Sequence, residues 1–85
     1  MSRFRVEWEP AAENELARVW LRSSDPPAVT AASARADQLL SNDPVHHGRY
    51  LSEDLYAVDV PPLVLTFTVD VGQRLVVVTW VRSLP

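Results

Sequence analysis

Leu63-Val64-Leu65-Thr66-Phe67-Thr68-Val69-Asp70-Val71-Gly72-Gln73-Arg74-Leu75-Val76-Val77-Val78-Thr79-Trp80-Val81-Arg82 is the stretch on which the fold turns. Leu63, Leu65, Phe67 and Val69 alternate with Val64, Thr66, Thr68 and Asp70, the period of two that defines a strand. Asp70-Val71-Gly72-Gln73 reads as a hairpin turn, with Gly72 available for a positive φ. Arg74 to Arg82 then predicts a returning strand that is apolar on both sides. Leu75, Val77 and Val81 line one side, and Val76, Val78 and Trp80 line the other. A run of this kind suits a central strand better than an exposed edge.

Outward from this hairpin, Pro61-Pro62 forms a rigid turn behind a strand over Leu55 to Val60. Upstream, Asn42-Asp43-Pro44 stops a helix, because a residue before proline is biased away from helical geometry. That helix starts at Asp25-Pro26, with aspartate as N-cap and proline at the first helical position. Its apolar side is Val29, Ala32, Ala36, Leu39 and Leu40, and its alanines permit close approach to a partner. A short link joins it to an earlier helix over Pro10 to Arg22, whose apolar side carries Ala12, Leu16, Val19 and Trp20. Phe4, Val6 and Trp8 alternate with Arg3, Arg5 and Glu7 as a first strand. The expected order is therefore β-α-α-β-β-β. This is an α+β fold, with a helical hairpin packed on one face of a small antiparallel-rich sheet, and residues 1–85 form a single domain.

The 85 residues suffice for one modest core. All eight basic residues are arginine, eleven acidic residues outnumber them, and the formal charge is −3. That balance disfavours whole-surface attraction to nucleic acid and leaves room for a local arginine cluster. There is no cysteine, which removes thiolate chemistry and cysteine-based metal sites and fits the cytoplasm. No apolar run is long enough to cross a membrane, and the N-terminus lacks the apolar core of a signal peptide. Neither a glycine-rich phosphate loop nor a nucleophile elbow is present, and no cofactor or metal is expected.

Three segments together resemble the ParE/RelE toxin superfamily, the plasmid-stabilisation proteins of type II toxin–antitoxin systems. Phe4 to Leu16 resembles the family's strand-proline-helix opening. Leu39-Leu40-Ser41-Asn42-Asp43-Pro44 followed by Gly48 is similar to the end of its second helix. Pro61-Pro62-Leu63-Val64-Leu65-Thr66-Phe67-Thr68-Val69 resembles its paired C-terminal strands. The resemblance implies a toxin neutralised by a cognate antitoxin. Its target is then DNA gyrase for a ParE-like member, or ribosome-bound mRNA for a RelE-like endonuclease. A degenerate domain that only binds antitoxin is a third reading. RNA cleavage needs a proton acceptor, positive charge on the phosphate and a proton donor for the leaving oxygen. The strand position that the family fills with arginine after a tyrosine is Ala57, following Tyr56. Only Arg82-Ser83-Leu84-Pro85 remains beyond Val81, with no late tyrosine or histidine.

Arg3, Arg5, His47 and Arg49 are the candidates for catalytic work. Arg3 and Arg5 alternate away from Phe4, Val6 and Trp8, onto the sheet face that the helices leave open. His47, beside His46, has a side chain that titrates near neutrality, but the pair lacks a third ligand for a metal. Arg49 can contact a phosphate beside Tyr50, or stand solvated. Glu7, Asp59 and Asp70 are placed to pair with these arginines. For partner binding, the open face is expected to present Val64, Val76, Val78, Trp80 and Arg82. Trp8 and Trp20 are expected as core anchors.

Overall fold

A computed structural model describes residues 3–85. The chain runs through β1 (Arg5–Trp8), α1 (Pro10–Arg22), α2 (Pro26–Asn42), α3 (Pro44–His47), β2 (Arg49–Ser52), β3 (Leu55–Val60), β4 (Leu63–Asp70) and β5 (Leu75–Ser83). The strands form one sheet in the order β1-β5-β4-β3-β2. β1 lies parallel to β5, and the other neighbours are antiparallel. The first and last strands therefore meet, and β5 is the interior strand that its two-sided apolar character requires. The α+β class and the helical hairpin on one face of an antiparallel-rich sheet are as expected.

Local chemistry sets the helix ends. Proline opens α1, where a missing N–H costs no hydrogen bond. The Asp25 side chain accepts the Ala28 N–H at 3.3 Å and caps α2. Asp43 closes α2 by donating its N–H to the Leu39 carbonyl at 3.1 Å. Its side chain then accepts the His46 N–H at 3.3 Å and caps α3. α1 lies over β5, while α2 reaches across β1, β3 and β4. Val29, Ala32, Ala36 and Leu40 of α2 are buried against Leu63, Leu65 and Phe67 of β4.

Two elements were not anticipated. The single-turn α3 and the edge strand β2 occupy a stretch read as a connection, so the sheet has five strands where the expected order gave four. All four residues of β2 are exposed, and an edge strand with no buried side leaves no period-two signature. Two further expectations are corrected. Trp20 is 44% exposed, because Ala12, Leu16 and Val19 already turn the inner face of α1 to the core. The β4–β5 turn places its positive φ at Arg74 (55°) and not at Gly72. Asp70 Oδ1 accepts the Gln73 N–H at 3.0 Å within it.

The most consequential difference lies in β5. Phe67 pairs with Val78 and Thr66 with Trp80, so one extra residue, Thr79, stands between them as a β-bulge. A single inserted residue exchanges the two faces of everything beyond it. Val76 and Val78 before the bulge and Val81 after it all enter the core at 0% exposure. Leu75, Val77, Trp80 and Arg82 share the opposite face with Asp70, Thr68, Thr66 and Val64.

Candidate functional site

The open face of the sheet is built from alternate residues of all five strands. Arg5 and Glu7 come from β1 opposite Leu75 and Val77 of β5. Leu55, Ala57 and Asp59 come from β3 opposite Thr68, Thr66 and Val64 of β4. Arg49 comes from β2 opposite Ala57. At one end, the row Arg49-Ala57-Thr66-Trp80 runs beside the row Asp59-Val64-Arg82. Ala57 and Val64 are each only 4% exposed and form a low floor. Arg49 and Asp59 rise on one side, and Trp80 (44% exposed) and Arg82 rise on the other.

The expectation that Val76 and Val78 line this face is corrected by the bulge, since both are fully buried beneath the helices. Val64, Trp80 and Arg82 do lie on it. Leu75 and Val77, half-buried, hold the places expected of Val76 and Val78. No sequence signal marks that exchange, because Val76-Val77-Val78 offers a valine to either face.

The four catalytic candidates are dispersed. Arg5 and Arg49 sit on the two opposite edge strands, four strand spacings and so about 19 Å apart across the sheet. Each faces a carboxylate. Arg5 Nε lies 3.1 Å from Glu7, and the Arg49 guanidinium lies 2.8 Å from Asp59. Arg3 is exposed ahead of β1. His47 is exposed in α3, with its ring edge against His46 at 5.5 Å between centroids. Among the described residues no hydrogen bond or ion pair joins His47 to Arg3, Arg5 or Arg49. Asp70 caps its turn and joins no arginine, whereas Glu7 and Asp59 pair as expected. Arg74 is drawn to the sheet end, 5.6 Å from the centre of the Phe4 ring. No group of three or more metal-ligating side chains gathers among the described residues, and no described helix is long and apolar enough to cross a membrane.

Chemically, the face offers an exposed indole beside a guanidinium over a floor of small apolar groups. That combination suits contact with another protein's surface. Its carboxylate at this end, Asp59, already accepts from Arg49.

No protein-family model matches the sequence, and no curated protein does. Solved structures do match. A chain of the toxin–antitoxin complex RelBE2 from Mycobacterium tuberculosis superposes with a TM-score of 0.81 at 20% identity, over 98% of this chain and 93% of that one. A chain of the chromosomal ParDE toxin–antitoxin system from P. aeruginosa gives 0.71 at 12% identity, over 96% and 97%. The isolated E. coli RelE toxin gives 0.67 at 14% identity, over 99% and 86%. The likeness covers 86% or more of each chain, and at these identities it is a likeness of fold alone: this chain shares the fold of these proteins from toxin–antitoxin systems.

Proposed function

We propose that this protein is the toxin component of a type II toxin–antitoxin system, neutralised by a cognate antitoxin and acting in the ParE-like manner, with DNA gyrase as the target. The neutralising partner is supported by the fold, which is similar to chains of the RelBE2 and ParDE toxin–antitoxin assemblies over almost their full length. One observation carries the preference for ParE-like action over ribosome-dependent mRNA cleavage. Two of the candidate arginines, Arg5 and Arg49, stand on opposite edges of the sheet, each against a carboxylate, and among the described residues no hydrogen bond or ion pair joins His47 to either. Phosphoryl chemistry needs positive charge and a proton acceptor converging within a few ångströms. Trp80 and Arg82 on the open face supply an anchor pair for a protein partner.

The test is inducible expression in a bacterial host, alone and together with the neighbouring gene. Growth arrest that the neighbour relieves is the expected result. Sustained growth with abundant folded protein removes the active-toxin reading and leaves a domain that only binds.

A further inference from the structure

We propose that the β2 edge of the sheet is a self-association surface, on which a second copy of this chain pairs antiparallel about a two-fold axis. The inference goes beyond the toxin reading and does not rest on it.

β2 is the outermost strand on its side and pairs with β3 alone. All four of its residues are exposed. It holds neither a lysine nor a proline, two residue types that guard a strand edge against another strand. Leu51 has no partner in β3, because the ladder passes from Tyr50 to Ser52 across it. An extra residue of this kind is left out of the ladder. Large apolar side chains gather at the same edge: Val45 of α3 is 43% exposed, Tyr50 66% and Leu51 51%. The opposite edge differs. There α2 packs beside β1, and the Phe4 N–H just ahead of β1 already donates to the Ser41 carbonyl at 2.9 Å.

The charges name the occupant. An antiparallel pair of β2 strands centred on Leu51 sets that residue against Leu51 of the second copy. Tyr50 then meets Ser52 of the copy, and Arg49 meets its Glu53. Two-fold symmetry makes each of these last two pairs twice. Glu53 joins no ion pair among the described residues. Arg49 spends one guanidinium nitrogen on Asp59 and keeps its other N–H groups for a second carboxylate. Opposite charges directly across neighbouring strands attract, and like charges repel. An in-register parallel copy sets Arg49 against Arg49, so the antiparallel arrangement is the complementary one. Its axis stands perpendicular to the sheet, and both open faces turn the same way. β5 and its copy then lie seven strand spacings apart, about 33 Å along the sheet. The dimer presents two Trp80–Arg82 pairs on one side, which suits a partner that offers its own site twice.

The experiment is sedimentation equilibrium of the full chain from about 10 μM to about 1 mM, the range in which so small an interface is read. A monomer–dimer equilibrium with a Kd of about 10⁻⁴ M is expected. In isotope-labelled chain, the Tyr50, Leu51 and Ser52 amides are expected to shift with concentration and to exchange more slowly as dimer forms. Arg49→Glu and Glu53→Arg are each expected to raise Kd about tenfold or more, since each sets like charges across the strands twice. The combined R49E/E53R chain restores the attraction with its sign reversed, and its Kd is expected to return to within about threefold of the original. Arg49→Glu also loses the contact with Asp59, so circular dichroism checks the fold of every variant. Leu51→Lys leaves that contact in place and puts two charges at the axis, with the same expected loss of dimer. A monomer throughout the range, dimerisation indifferent to the single swaps or to Leu51→Lys, a folded combined variant that stays monomeric, or concentration-dependent shifts confined to α1 or the Trp80 face overturns the proposal.

Discussion

Gly48 shows how tightly single residues are specified near the end of the sheet. A Cβ placed there meets the tip of the Phe67 ring at 2.7 Å, the Pro44 carbonyl at 3.0 Å and Tyr56 Cβ at 3.1 Å. Phe67 cannot retreat, because it is fully buried and stacked on Tyr56 with ring centroids 5.8 Å apart. Gly48→Ala is therefore expected to destabilise the fold by about 1–3 kcal/mol, the usual cost of overpacking, as read from urea unfolding. Arg49 and Asp59, next along the chain and across the sheet, behave oppositely. Their pair is 2.8 Å long, but the two side chains are 54% and 45% exposed. Arg49→Gln is expected to change stability by less than about 1 kcal/mol, and a larger loss would show the pair to be a structural clamp.

At the scale of elements, the bulge in β5 decides which side chains are offered to a partner. Val77 and Val78 are neighbours of identical chemistry on opposite faces, the first half-buried and the second at 0% exposure in the core. Val78→Ala is expected to cost about 2 kcal/mol and Val77→Ala well under half of that, measured side by side in urea. Equal costs would mean that the register of β5 is wrong. The same bulge explains where legibility in the sequence stopped. Both long helices were readable because Pro10, Asp25-Pro26 and Asn42-Asp43-Pro44 punctuate them. β4 was readable because threonines alternate with large apolar residues. β2 was hidden, since Tyr50 and Leu51 are adjacent apolar residues that both face solvent. In β5 the order of residues predicted a strand, yet valine at three successive positions carries no parity, so Val76 and Val78 were assigned to the wrong face. Trp80 and Arg82 were placed on the open face because they lie beyond the bulge, where strict alternation and the actual register happen to agree. The separation of Arg5 from Arg49 was not legible either, because it depends on strand order and not on strand composition.

For the whole molecule, charge and topology point the same way. Eight arginines against eleven acidic residues give a net charge of −3, and three of the arginines are held by carboxylates. Free chain is therefore expected to bind mixed-sequence RNA or duplex DNA more weakly than about 10⁻⁴ M at physiological salt, as read by fluorescence anisotropy. Tighter, strongly salt-dependent binding would reveal a phosphate-contacting surface that the ion pairs conceal. The proposed action through protein contact fits this charge balance, with the helical layer supporting a sheet whose other face is open. The most direct test follows bulk mRNA integrity and plasmid topology in the same cells after induction of the chain alone. Relaxed or broken plasmid DNA with mRNA intact at the onset of growth arrest is the predicted result, and fragmented mRNA with plasmid supercoiling unchanged would contradict it.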